Sequence, residues 1–279
     1  MNRVTNRLFG FFFLAFLVGV GGLVWQFQQG EHFHFDMQTI DEQRTIAQQV
    51  KGIDLKTETA DVVLAAARET SISVRLVGEA PAERKPTLQT EVTPDGILRV
   101  TVVEPDRISF FFTPRTRMEL QVTIPAAAYQ DMQVTTATGD IRAGGLKAKR
   151  VTIQSSTGDV ELNGLEGDRL AVSTDTGDMD LAGIRGEVSI ESDTGNVEDL
   201  VLTELGGNVD ITTDTGDVEI NVEKKAAVRL DLKSDTGDVE ADWPGLSYSE
   251  QTDHRLDGSS GAGGPRILVR TATGDIRIR

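Results

Sequence analysis

The sequence predicts an all-β protein: a β-solenoid of two-strand rungs, each about 20 residues long, preceded by one N-terminal transmembrane helix. Three observations carry this. Thr-Gly-Asp returns at near-constant spacing, apolar and polar residues alternate around each copy, and an uncharged apolar run opens the chain.

Composition narrows the function classes first. Of 279 residues, 38% are apolar and 26% charged, the balance of a folded protein. Cysteine is absent, which excludes disulfides, thiol nucleophiles, iron–sulfur clusters and cysteine zinc sites. With 3 histidines, a multi-histidine metal centre is not expected either. The net charge of −16, from 44 acidic and 28 basic residues, argues against a nucleic-acid partner. Residues 1–130 carry 15 acids and 13 bases, residues 131–279 carry 29 and 15, so the acid is concentrated in the second half. A solvated acidic surface on an exported protein accounts for it without any site.

The run 8–25 reads LFGFFFLAFLVGVGGLVW, long enough as a helix to cross a hydrocarbon core. Arg3 and Arg7 precede it and no base follows until Arg44. The positive-inside rule leaves a cytoplasmic stub (1–7), an anchor (8–25) and an extracytoplasmic remainder in the cell membrane. Gly19-Val20-Gly21 leaves a cleaved signal peptide as the alternative, although the apolar run continues past it. Residues 26–49 are polar and read as a tether, and His32-Phe33-His34 within it reads as an interfacial patch rather than a metal site.

Residues 50–130 read as a β region that starts the solenoid. Ile53-x-Leu55-x-Thr57-x-Thr59-Ala60-Asp61-Val62 fits the repeat template, with alanine in the glycine position. Alternating strands follow at Ile72/Val74/Leu76, Leu98/Val100/Val102 and Met118/Leu120/Val122/Ile124. Phe110, Phe111 and Phe112 break the alternation and are expected to cover the solenoid end, an exposed contact patch being the alternative.

Residues 131–279 carry the repeat itself. Its glycines are Gly139, Gly158, Gly177, Gly195, Gly216, Gly237 and Gly274, spaced 19, 19, 18, 21, 21 and 37 residues apart. In Val151-x-Ile153-x-Ser155-x-Thr157-Gly158-Asp159-Val160-x-Leu162 the apolar residues share one parity, so one face is buried and one is wet. A two-strand unit cannot bury that face alone, but a stack of such units can. Each glycine marks a corner that needs positive φ. The Ser/Thr pairs before the corners (Ser155 and Thr157, Thr174 and Thr176, Ser192 and Thr194, Thr213 and Thr215) are expected inside, as hydroxyl ladders. The stretch 243–265 reads as a loop inserted into the last rung. The chain then ends on Thr271–Arg277, which repeats residues 136–142 letter for letter. Arg142, Arg277 and Arg279 are expected to protect the edges of the stack.

The start at Ile53, the strand Leu120-Gln121-Val122-Thr123-Ile124-Pro125 and the serial Thr-Gly-Asp-Val/Ile rungs resemble the bacterial adhesin-type proteins with β-strand repeats. This is a domain-of-unknown-function family that includes LiaG-like envelope proteins, and the resemblance covers about residues 50–279. It implies an exported, often membrane-anchored β-solenoid, sometimes linked to envelope-stress operons, with no catalytic residues to carry over.

Two outward acidic rows flank each corner. One contains Asp159, Asp178, Asn196, Asp217 and Asp238, the other Asp175, Asp193, Asp214 and Asp235. Hydrogen bonds from turn N–H groups account for them structurally; weak Ca²⁺ binding along the ridge is the functional alternative. Asp-Thr-Gly also occurs in aspartic proteases, but four copies at repeat corners do not make the two special loops such a site needs. With no catalytic residues and no cofactor expected, the sequence reads as a non-enzymatic, membrane-anchored adhesin or cell-envelope interaction protein. Its expected partner is an envelope protein or a cell-wall polymer. The alternatives are a scaffold or accessory regulator of an envelope-stress signalling system, and a polysaccharide-acting β-helix enzyme.

Overall fold

A computed structural model of the chain describes residue 16 and residues 36–105, 117–223 and 226–279. The chain divides into two compact units, Met1–Met37 and Gln38–Arg279. The stub 1–7, the run 8–25 apart from Phe16, the His32-Phe33-His34 patch and the Phe110–Phe112 cluster lie outside the described residues. In the first unit Phe16 is helical and exposed. Among the described residues, no helix is long and apolar enough to cross a membrane.

The alternating segments become strands. β1 (Met37–Ile46) precedes β2 (Gly52–Lys56) and β3 (Asp61–Ala67). Then come β4 (Ile72–Pro81), a 3₁₀ turn at Ala82–Arg84, β5 (Thr87–Val92), β6 (Ile97–Val103), β7 (Arg117–Pro125) and β8 (Tyr129–Thr136). Three long strands follow: β9 (Ile141–Thr157), β10 (Val160–Thr176) and β11 (Met179–Thr194). The remainder is β12 (Val197–Leu202), β13 (Val209–Thr215), β14 (Val218–Val222), β15 (Val228–Thr236), β16 (Val239–Ala241), β17 (Ser247–Thr252), β18 (Arg255–Ser260), β19 (Arg266–Thr273) and β20 (Ile276–Ile278).

These strands form two parallel ladders around one core. The first runs β6, β2, β8, then the second halves of β9, β10 and β11, then β13, β19 and β15. The second runs β7, β3, then the first halves of β9, β10 and β11, then β12, β14, β20 and β16. The repeat sets the register: Val172 pairs with Ile153 on one side and Ile190 on the other. The two-strand rung is thus present, but in the middle of the stack its strands run unbroken around the rear corner and stop only at Thr-Gly-Asp.

The stack does not follow chain order. β2 and β3 sit between β6–β7 and β8–β9, and β19 and β20 sit between β13–β14 and β15–β16. Antiparallel strands complete the ends. β4 lies on β7 and carries β1, β5 lies on β6, and β18 lies on β15 and carries β17.

Three expectations change as a result. Residues 243–265 are not a plain loop, because β17 and β18 form a hairpin that extends the ladder. Arg142, Arg277 and Arg279 are not at the edges of the stack. They lie inside it, paired with Asp140 and Glu161, with Asp275, and with Glu219. The tether 26–49 contains strand over Met37–Ile46; Ile40 is buried and Ile46 packs partly buried on the core, and two apolar anchors six residues apart give no alternation to read.

The inward column is as expected: Val151, Ile153, Val160, Leu162, Leu170, Val172, Met179, Leu181, Val188, Ile190, Val209, Ile211, Val218, Ile220, Leu230 and Leu232 are all buried. The hydroxyl expectation holds for burial at half of the positions and fails for the ladders. Ser155, Thr174, Ser192 and Thr213 are buried, whereas Thr157, Thr176, Thr194 and Thr215 are exposed because the corner turns them outward. Thr57 and Thr136 each accept a backbone N–H, from Ala60 and Gly139 respectively. In mid-stack, Gly158 and Gly177 donate instead to the Thr176 and Thr194 carbonyls of the next rung. The hydroxyls of Ser155, Thr174, Ser192 and Thr213 are then left without a hydrogen bond. Burying an unpaired hydroxyl is costly, so Thr174→Val and Thr213→Val are each expected to raise stability by about 1 kcal/mol. Thr136→Val orphans the Gly139 N–H and is expected to lower it by about 1–2 kcal/mol. Urea denaturation midpoints of the three variants check the difference in sign.

Candidate functional site

The front corner, where Thr-Gly-Asp recurs, holds the densest array of outward chemistry. Its glycines form a column in the order Gly139, Gly158, Gly177, Gly195, Gly216, Gly274, Gly237, with Ala60 beneath Gly139. From Gly158 onward their φ lies between +141° and +154°. The tighter constraint is packing: a Cβ on Gly195 or Gly216 would lie 2.0 Å from the carbonyl oxygen of the glycine before it in the column. Positive φ, the reason read from sequence, is therefore only part of the cause, and Gly139 meets the packing constraint without it.

The residue after each glycine builds a second column. Asp140 N–H donates to Asp61 Oδ1, Asp159 N–H to Asp140 and Asp178 N–H to Asp159. Asn196 then donates to Asp178, Asp217 to Asn196, Asp275 to Asp217 and Asp238 to Asp275. Each side chain from Asp61 to Asp275 thus accepts a backbone N–H from the next rung, at 2.8–3.1 Å. The bond explains why Asn serves at position 196: the amide keeps the accepting oxygen. The Asp238 hydrogen bond, and secondarily Arg277, holds the Asp275 carboxyl below its ordinary value.

The inner Asp row is therefore a structural ladder of hydrogen bonds to N–H groups, as expected, although the bonds run between rungs rather than within one turn. In the outer row, Ala137 and Ser156 precede Asp175, Asp193 and Asp214, then Ala272 interrupts before Asp235. Lys233 pairs with Asp235 and lowers its pKa. Among the described residues, no three His, Asp or Glu side chains gather as metal ligands. If the Asp ladder is structural, Asp178→Asn leaves stability within about 0.5 kcal/mol, whereas Asp178→Ala strips the Asn196 N–H of its acceptor and costs about 1–2 kcal/mol. Thermal melting with and without millimolar calcium distinguishes this from a cation site, where both variants would lose a calcium-dependent increment.

Beside the corner runs a third row that sequence reading missed. In stack order it is Arg142, Glu161, Asp180 and Glu198, then, past a β-bulge at 198–199, Glu219, Arg277 and Glu240. The signal was present, as the residue two places after each Thr-Gly-Asp; the ends of the row could not be placed without the true rung order. Four acids stand consecutively between two arginines. Asp140, Arg142, Asp159, Glu161, Asp178 and Asp180 line an open cleft of about 300 Å³.

Asp199, in the left-handed region at φ 47°, stands near Asp180. Partial desolvation, then repulsion from Asp199 and Glu161, raises the Asp180 carboxyl above its ordinary 3.8. The folded state therefore holds this proton more tightly than the unfolded chain. Its contribution is most favourable below 3.8, falls as pH rises through the folded value, and is level beyond it. Asp180→Asn is expected to flatten that fall and to stabilise the neutral-pH protein by about a few tenths of a kcal/mol, the group being exposed and screened. Melting temperature against pH for both proteins reads the change.

The rear corner differs in character. A groove of about 730 Å³ runs there over Ala148, Gly167, Gly186 and Gly206. Charges along it alternate rung by rung, Lys147 pairing with Glu166 and Arg185 with Glu204, and Arg169 pairs with Glu187 nearby in the chain. The front corner thus carries an excess of acid, offset in part where Arg142 and Arg279 reach Glu161 and Glu219, and the rear carries paired charges.

A family model described as Toastrack DUF4097 matches residues 50–279. Among solved structures, a provisionally named cell adhesion protein from Clostridium sporogenes ATCC 15579 is 15% identical, with 86% of this chain and 99% of that one covered and a TM-score of 0.43. A provisionally named adhesin from Bacteroides fragilis NCTC 9343 is 12% identical, with coverage of 87% and 97% and a TM-score of 0.45. A provisionally named lipid binding protein from Parabacteroides distasonis ATCC 8503 is 15% identical, with coverage of 86% and 96% and a TM-score of 0.30. None of the curated proteins matches the sequence.

Proposed function

The chain belongs to the Toastrack DUF4097 family, and from that premise we propose that it is a non-enzymatic envelope protein, anchored by residues 8–25, that presents a rigid acidic β-solenoid to a partner. One observation carries the reading: Glu161, Asp180 and Glu198 stand in register on successive rungs, with Glu219 following across a β-bulge, on a backbone held by the ladder and by the Asp hydrogen bonds beside it. Such an array offers a cationic surface fixed charges at strand spacing, about 4.8 Å, with little to reorganise on binding. The partner is an envelope protein or cell-wall polymer bearing positive charge, and calcium enters only as a weakly held counter-ion of Asp175, Asp193 and Asp214.

The test is capture of envelope components by the full chain, compared with a variant in which Glu161, Asp180, Glu198 and Glu219 are replaced by Gln or Asn. The expected result is a salt-sensitive partner that the variant does not retain. Equal capture by both proteins would contradict the role given to the acidic row. Cell fractionation tests the anchor, which should hold the protein in the membrane fraction through an alkaline wash.

The raised Asp180 carboxyl in an open cleft favours a second reading, a polysaccharide-acting β-helix enzyme. Turnover of anionic or neutral glycans that Asp180→Asn abolishes would establish it. A scaffold role in envelope-stress signalling is the third reading, and co-purification with a membrane kinase would single it out.

A further inference from the structure

The C-terminal rung occupies a slot whose two walls are near copies of each other. On the first ladder, Val209 and Leu230 flank Ile267, Ile211 and Leu232 flank Val269, and Thr215 and Thr236 flank Thr273. On the second, Val218 and Val239 flank Ile276. The corner repeats the equivalence. Gly274 is seated against the Gly216 carbonyl and Gly237 against that of Gly274. Asp275 N–H donates to Asp217, and Asp238 N–H to Asp275. Without β19 and β20, then, β15 and β16 find on β13 and β14 the same kinds of apolar neighbour, the same carbonyl seat and the same side-chain acceptor.

Chain order makes this matter. Synthesis runs from the N-terminus, so residues 209–241 exist before residues 266–279 do. The rung of β14 and that of β15 are two strand spacings apart in the finished stack and would be one apart in the shorter arrangement.

We propose that the stack first closes one rung short, with β15–β16 seated directly on β13–β14, and that Arg266–Arg279 then enters as a key that opens this junction and locks it. The lock consists of bonds that only the inserted rung makes. Arg266 and Arg270 reach Asp231, Arg279 pairs with Glu219, and the Arg279 backbone exchanges hydrogen bonds with Ile220 and Val222. A non-local strand that must enter between two existing ones is inherently slow to place, which gives the short stack a lifetime.

The test uses the full chain, whose lack of cysteine makes introduced pairs unambiguous reporters. Thr215, Thr236 and Thr273 are exposed corner residues. In the finished protein positions 215 and 236 are about 9.6 Å apart, two strand spacings and beyond disulfide reach; in the short stack they are about 4.8 Å apart. Thr215→Cys/Thr236→Cys and Thr236→Cys/Thr273→Cys proteins are refolded from denaturant and sampled with brief oxidant pulses. The expected result is cross-linking of the first pair in early pulses, falling to the native background as the second pair rises. A first pair that never exceeds its native background while the second rises from the outset would overturn the proposal.

Discussion

Gly216→Ala is expected to remove most of the stability of the solenoid. The added Cβ would lie 2.0 Å from the Gly195 carbonyl oxygen and 2.7 Å from its carbon, neither of which can move aside within a hydrogen-bonded ladder. The backbone at φ +154° adds strain of about 1–3 kcal/mol for any residue with a Cβ. Relieving the contact separates two rungs and breaks the Asn196-to-Asp217 link beside it. The combined cost is about 4 kcal/mol or more, against a total stability of about 5–15 kcal/mol for a typical domain. Gly263→Ala is the control: φ there is +78°, but nothing lies within 4 Å of the added carbon, so the cost is about 1–2 kcal/mol. Urea denaturation of both variants checks the contrast. Equal small losses would mean that the corners tolerate side chains and that the glycine column is not a packing device.

Trp243→Ala carries the second large effect, at the far end of the stack. Trp243 is 6% exposed and donates its indole N–H to the Ala226 carbonyl at 3.1 Å. It belongs to the one continuous core. Truncating a buried tryptophan costs about 3–5 kcal/mol, and here it also loosens the region that carries the β17–β18 hairpin. That hairpin covers the open side of β15, an edge that otherwise offers unpaired backbone groups to another chain. The variant is therefore expected to melt earlier and to elute from size exclusion in a concentration-dependent way. Trp243→Phe, which keeps an aromatic ring in the pocket but loses the hydrogen bond and part of the indole volume, is expected to cost about 2 kcal/mol and to remain monodisperse. Early melting without association would place the role of Trp243 in the core alone.

What the sequence allowed to be read, and what it did not, follows from the range of the interactions. The period-two alternation around Val151, Leu170 and Val188 is local and dictates which face is buried, so the core column could be read directly. The alanine at position 60 was recognisable because its neighbours obey the repeat, and the structure seats Gly139 on its carbonyl. Rung order, by contrast, is non-local. Nothing in Thr271–Arg277 says that it lies between Thr215 and Thr236, because every rung offers the same contacts; spacing alone therefore suggested consecutive stacking and put Arg277 and Arg279 at an edge. The hairpin in 243–265 was hidden because β17 is exposed throughout and carries no apolar alternation. At the candidate site, the Asp column was legible as hydrogen-bonding turn residues, but its acceptor role reaches across rungs rather than within one turn. The row containing Asp180 needed the register to become visible.

The order of the rungs is tested most directly by spin-label distances from Thr138 to Thr273 and from Thr138 to Thr236, measured by double electron–electron resonance on cysteine-substituted protein. In the stack described, Thr273 lies five strand spacings from Thr138 and Thr236 lies six, or about 24 Å and about 29 Å. Residue 236 is then the more distant of the two although it comes earlier in the chain. Distances in the opposite order, with Thr273 beyond Thr236, would contradict the inserted C-terminal rung, and two broad distributions without a defined spacing would contradict the stack itself.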